Sequence, residues 1–461
     1  MNRIEENAGV TKVRRDGFYL LLLGAAGFLC VSLLLVLTDQ ASSYDFQTAY
    51  YGSVCLLQHC DPYSEANIER LYSRESPPPA TPDANRIVVT KDEYPPSAFL
   101  FTAVLATLPE KVAYCLWIVA IAGSFMVACY VLWRICAKAA PFVVGLLLAF
   151  SLLNSGSLIH FANPAGFVAP LCILAALAFV CDQFVLLGIA CFVVSLAVKP
   201  HDVGFVWLYF LLAGGAYRKR ALQTLAGVAV VSLPTVLWVT RLSPHWASEL
   251  AANIAAFSGP GKMNDPRGLH GACMMTNLQT FTSLIWTAPS IYNLVSGVIC
   301  CSFLVLWAAV ALHSRPSREN AWFALAAIAP FSLLPVYHRQ YDGKLILLAL
   351  PALAILWARR GREGWIALAV TATAIFLNGD FPWILFLQIA KGLHIYGENF
   401  ASPAAVVLAN APVPLSLLAM GSFYLWIFAR QLRLSPECAE REKFAARSEA
   451  ALEQSAGADS L

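Results

Sequence analysis

Four short polar clusters interrupt an otherwise apolar chain, and each carries groups able to handle a proton or a phosphate. The first is Tyr44-Asp45-Phe46, followed by Tyr50 and Tyr51. A carboxylate just past an apolar helix can stay ionised at the water–lipid boundary and take a proton from a hydroxyl. General-base catalysis of that kind contributes roughly 10²–10⁴-fold. The plainer reading of Asp45 is a helix-cap aspartate, with the tyrosines as membrane-interface residues rather than sugar-stacking ones. The second cluster is Glu93-Tyr94-Pro95-Pro96, whose prolines impose an extended approach to the apolar segment that follows. Asp92 and Glu93 either face the same cavity as Asp45 or are solvated. The third, Val198-Lys199-Pro200-His201-Asp202, lies between two short apolar runs. Charges there are costly unless they line a watery cavity or pair with each other, although Lys199 could also snorkel outward. The fourth is Tyr337-His338-Arg339-Gln340-Tyr341-Asp342, where His and Arg together can bind a phosphate, the guanidinium through a fork of donors.

Two further stretches are weaker. His160 with Asn163-Pro164 forms a polar turn. Lys262, Arg267 and His270 sit on a Gly/Pro backbone that suits either a substrate-gating loop or a plain connector. There is no Asp-x-Asp pair, zinc-site spacing, Walker loop or dinucleotide fingerprint, so no metal, no cofactor and no nucleic-acid partner are expected.

The elements that position these clusters must be membrane helices. Of 461 residues, 59% are hydrophobic and 13% charged, against about 25% charged in soluble domains. Apolar runs able to cross roughly 30 Å of hydrocarbon recur from end to end. Residues 1–17 are basic and are assigned to the cytoplasm. Phe18–Leu37 is too long for the core of a cleaved signal and reads as a first span. Residues 18–430 form the membrane domain, with an acidic extracytoplasmic loop at 38–96 and a second such loop at 241–288. The charged tail, 431–461, reads as a short cytoplasmic helix followed by disorder. Ser97–Leu108, about 18 Å long as a helix and bracketed by prolines, is expected to be re-entrant or interfacial. With it, the remaining runs give about 12 transmembrane helices. That topology puts 19 of the 31 Lys/Arg in the cytoplasm and all four clusters on the opposite face. Most of the 13 cysteines lie in apolar runs; Cys55 and Cys60 lie in the first polar loop, where a disulfide would form if that loop faces an oxidising compartment.

In their order along residues 18–430, several of these stretches resemble the bacterial polyprenol-phosphate-mannose-dependent α-mannosyltransferases of the GT-C superfamily. They are Tyr44-Asp45-Phe46, Asp61-Pro62-Tyr63, Glu93-Tyr94-Pro95-Pro96, Asn163-Pro164, Val198-Lys199-Pro200 and His338-Arg339…Asp342. The resemblance implies a GT-C-like, all-α bundle in the bacterial plasma membrane. It implies inverting transfer of a hexose, mannose in that family, from a polyprenyl-phosphate donor to an extracytoplasmic glycan, glycolipid or protein acceptor, among membrane lipids. Asp45 matches the family's general base. Lys199, His338 and Arg339 match positions near the donor phosphate, and Glu93, Tyr94, His201, Asp202 and Asp342 are taken as their substrate-binding neighbours. Such a displacement needs one base on the acceptor side. Phosphate already leaves readily, so the other side needs positive charge rather than an acid. The chain departs from the pattern at Asn163-Pro164-Ala165-Gly166, where many relatives have Gly-Gln-x-Asn, and at His201-Asp202, where many continue with apolar residues. The rivals are a transporter using Lys199 and Asp202 as a coupling pair, and a ligase or flippase of lipid-linked sugars. Transporters commonly repeat their halves, and no such repeat is seen.

Overall fold

The computed structural model describes residues 2–38, 43–75, 86–259, 261–268, 274–395 and 402–433. Among these the regular structure is helical, apart from an isolated antiparallel bridge between Met275 and Arg339. The expected disorder after the last helix, and His270, lie outside the described residues.

Six helices are long and apolar enough to cross a membrane: Lys12–Leu37, Glu110–Cys136, Pro141–Phe161, Gly215–Leu242, Pro289–His313 and Pro403–Leu432. A seventh span arises if Arg362–Leu377 and Asp380–Gly392, bent by 60° at their junction, are taken together. The other apolar runs are helical too, but shorter. Ala165–Cys181, Val185–Val198, Pro200–Leu212 and Arg318–Ser332 have 17, 14, 13 and 15 residues, or roughly 20–26 Å at 1.5 Å per residue. Ala165–Cys181 is mostly buried, as is Arg318–Ser332 from Ala321 onward. An apolar run in a helix packed on all sides by other helices has no need to span the bilayer.

The long helices form the wall. Leu23, Leu33, Leu34 and Leu37 of the first are exposed, as lipid-facing residues would be, while its other side lies against Pro141–Leu153. Small residues permit that approach. A Cβ on Gly17 would lie 2.2 Å from the Pro141 carbonyl oxygen, and one on Gly24 would lie 2.4 Å from Ala149 Cα.

The first polar stretch is not a loop over most of its length. It folds as the helices Tyr44–Leu57, Glu65–Glu75 and Arg86–Thr90. Phe46, Tyr50 and Tyr51 are buried, Phe46 packing 5.6 Å from Trp117 and Tyr50 lying 5.3 Å from Tyr51. These rings are core, so the thought that they stack on sugars is corrected. Cys55 and Cys60 are disulfide-bonded. Pro96–Leu105 is a short apolar helix, too short to span. The second polar stretch holds the helices Trp246–Phe257 and Gln279–Ile285. The first of these docks on residues 61–94: Asn253 Nδ2 donates to the carbonyls of Tyr63 (3.1 Å) and Asp92 (3.0 Å).

Candidate active site

Three interruptions between short inner helices converge on the head of Tyr44–Leu57. Asp45 lies in the first turn of that helix, whose start is tied down by the Ser43 N–H donating to the His160 carbonyl (3.2 Å). Asn163 precedes Ala165–Cys181, and its Oδ1 accepts from the Ala165 N–H at 2.9 Å, satisfying a free donor at the helix start. Lys199 occupies the break between Val185–Val198 and Pro200–Leu212, where Pro200 opens the new helix. The third interruption, residues 333–341, follows Arg318–Ser332. It leads into an eight-residue 3₁₀ stretch, Asp342–Ala349, longer than such helices usually run. Backbone bonds from Thr276 N–H to the His338 carbonyl and from Gln340 N–H to the Met274 carbonyl, both 3.0 Å, brace this connector.

These breaks form one continuous polar network. Asn163 Nδ2 donates to Asp45 Oδ2 (2.8 Å), and Lys199 Nζ donates to Asn163 Oδ1 (3.3 Å). The ammonium also meets Asp342 Oδ1 at 2.7 Å and Asp202 Oδ2 at 3.2 Å. The other Asp202 oxygen faces His201 Nε2 at 3.0 Å and His338 Nε2 at 3.4 Å. Asp342 Oδ2 accepts from the Arg339 N–H at 2.8 Å, which fixes the connector to its own carboxylate.

Burial divides the candidate residues into two groups. The Lys199 side chain is 8% exposed, and those of Asp202, Asp342 and His338 are 3% or less. Their charges act on one another inside the protein. Asp45, Arg339 and Tyr337 are partly exposed, and Glu93 and His201 are exposed. Arg339, which reaches Tyr337 Oη, is therefore the cation that opens outward, while Lys199 and His338 lie behind it. His338 Nδ1 lies 3.0 Å from the Val336 carbonyl, and its Nε2 faces Asp202 at 3.4 Å, an ion-pair distance. Burial opposes a charge on the ring, but the neighbouring Asp202 carboxylate outweighs it and lifts His338 above the ordinary imidazole value.

The open side is a recess rather than a free surface. Glu93 is exposed by area, yet the surrounding protein displaces enough solvent to push its carboxyl up to about 7, with the charge of Asp45 adding to the rise and Lys199 and Arg339 opposing it. Burial likewise raises Asp45, against the Asn163 hydrogen bond and the charges of Arg339, Lys199 and His160. Asp92 does not reach this space. It is buried, accepting the Tyr94 N–H at 2.8 Å. Tyr94 is buried beside it, its carbonyl held by Tyr63 Oη at 2.8 Å.

Among the described residues, His201, Asp202 and His338 offer ligand atoms within 4.8 Å of one another and form a group that could hold a metal ion. The Lys199 ammonium already sits on the same carboxylate, so a cation there would meet a positive neighbour. Sequence reading undervalued Asn163, which joins Asp45 to Lys199. It named Tyr341 within the fourth cluster without giving it a role; its ring lies 5.6 Å from the Lys199 ammonium. The signal for Asn163 was a hydrogen-bonding side chain at a proline break between two apolar runs.

The structure is thus a helical membrane bundle with a charged recess at its helix breaks. The family model for glycosyltransferase family 87, a GT-C-type family, matches residues 93–336, just over half of the chain, and the protein belongs to that family. It is accordingly a membrane glycosyltransferase with a sugar donor and an acceptor. The match takes in Glu93, Asn163 and Lys199 but neither Asp45 nor His338-Arg339. No curated protein matches the chain.

Proposed function

We propose that this protein is an inverting transferase that moves a hexose, mannose by its resemblances, from a polyprenyl-phosphate donor to an acceptor on the extracytoplasmic side of the bacterial plasma membrane. The observation that carries this reading is the convergence of a partly exposed carboxylate, Asp45, and a partly exposed guanidinium, Arg339, on one network: Asp45 is tied through Asn163 to Lys199, and the Arg339 backbone is tied through Asp342 to the same ammonium. Asp45 takes the proton from the attacking acceptor hydroxyl. Arg339 receives the phosphate as its bond to the anomeric carbon breaks and negative charge gathers on its oxygens. Lys199, His338, Asp202 and Asp342 hold the Arg339 connector and the Asn163 turn in place. Glu93 and His201 offer hydrogen bonds to the bound sugar, phosphate or acceptor. The bundle of about 12 crossings inferred from the apolar runs puts the recess outside the cytoplasm, with 19 of 31 Lys/Arg on the inner side. The Cys55–Cys60 disulfide suits an oxidising face.

The test uses the full chain in nanodiscs with radiolabelled undecaprenyl- or decaprenyl-phosphate mannose, scoring release of the lipid phosphate. Wild type is expected to release it, and Asp45→Asn to lose roughly 10²–10⁴-fold in rate while melting at the wild-type temperature. Full activity in Asp45→Asn removes the base. Movement of the intact lipid across the bilayer without cleavage favours a flippase.

A further inference from the structure

We propose that Asn163 is a positioning residue for Asp45: its amide, locked from behind, presents an N–H to the carboxylate from a fixed direction and couples it to Lys199. The proposal rests on Asp45 being the base of the transfer described above. The amide's orientation follows from its partners. Oδ1 accepts from the Ala165 backbone N–H and from the Lys199 ammonium, and neither group has a lone pair to offer. A flipped amide would set its NH₂ against two donors. Nδ2 must therefore face Asp45, at 2.8 Å. Asn163 is buried, Pro164 follows it, and Ala162 before it is in the left-handed region at φ 52°, so the turn has little freedom to re-aim the side chain.

A base has to be ionised before it can take a proton. Burial works against the Asp45 carboxylate, and the Asn163 hydrogen bond is foremost among the influences that restore it, ahead of Arg339, Lys199 and His160. Asparagine can accept from Lys199 and donate to Asp45 at once. Aspartate at this position would accept from Lys199 but turn a second carboxylate toward Asp45, and leucine would do neither.

The experiment is an infrared titration of the full chain in nanodiscs, with the Asp45 carboxylic band identified by its absence in Asp45→Asn. Asn163→Ala is expected to move that titration up by about one to two pH units, the weight of a hydrogen bond to a charged group. The acid limb of the transfer rate should move with it, and the rate should recover above that limb. Asn163→Ser, which keeps a small donor, should shift less, and it carries the test if the alanine variant does not fold. An unchanged Asp45 titration in both variants overturns the proposal, whether or not the protein transfers sugar. A shifted titration in a protein that transfers none upholds the Asn163–Asp45 coupling and counts against the transferase reading instead.

Discussion

Among the described residues, two lysines are buried at helix junctions of this bundle, and they are held in different ways. Lys199 has side-chain partners: Asp342 at 2.7 Å, Asp202 at 3.2 Å and Asn163 at 3.3 Å. Lys344 donates to two backbone carbonyls, Asn154 at 3.3 Å and Asn378 at 3.1 Å, where Arg362–Leu377 meets Asp380–Gly392. Asp380 acts on Lys344 through its charge alone, and its Oδ2 accepts the Ser157 N–H at 2.6 Å. A buried ammonium must be compensated in either case. Carbonyl dipoles do this locally and tie three backbone segments together. Carboxylates do it by linking charges, and that linkage passes through Asn163 to a group that opens to the recess. Lys344 therefore reads as a structural clamp, and Lys199 as the hub of the site.

Removing each lysine should expose the difference. Lys199→Met leaves Asp202 and Asp342 buried without their shared cation, and breaking a buried pair from one side costs about 3–5 kcal/mol. The expected outcome is a large drop in melting temperature in detergent, with sugar transfer lost even below the melt. Lys344→Met abandons two carbonyls and leaves Asp380, which is half-buried and keeps its Ser157 bond. The cost should be about 1–3 kcal/mol, that of unsatisfied buried acceptors, with transfer by the folded protein close to wild type. Equal losses of activity in the two variants would erase the distinction between hub and clamp.

That distinction was only half legible in the sequence. Lys199-Pro200 and His338-Arg339 stood out because they interrupt apolar runs, where charge is costly; Asn163-Pro164 read only as a weaker polar turn. Assigning the charged clusters to one face of the membrane made a meeting of Lys199 with the His338-Arg339 connector an expectation. Which of them reach the open recess could not be read, since alternation along a connector gives no direction. His338 turns inward to Asp202 while Arg339, its neighbour, turns outward. The number of spans was less legible for a related reason: apolar length measures how much of a helix avoids water, and the inner helices avoid it against their neighbours as well as against lipid. In the first polar stretch the tyrosines looked like interface residues because a single sequence cannot say that Tyr50 packs on Phe46, which in turn packs on Trp117.

The smallest predicted effect separates the two regions by pH. The recess contains a carboxyl open to solvent and held high, Glu93, pushed up to about 7 chiefly by burial and then by Asp45; the Lys344 clamp is built on an ammonium and backbone carbonyls. Between the ordinary glutamate value, about 4.3, and about 7, the folded chain binds this proton more tightly than the unfolded one. Stability must then fall as pH rises across that window, and level off above it. Glu93→Gln removes the group, so the variant should melt above wild type at pH 8 and converge with it below about pH 4. Exposure to solvent keeps the difference modest. Lys344→Met keeps Glu93, so its melting temperature should still fall as pH rises across that window. A Glu93→Gln melting curve parallel to wild type at every pH would mean that the recess does not hold this carboxyl differently from water, and that Asp45 faces it across open solvent rather than within a shared site.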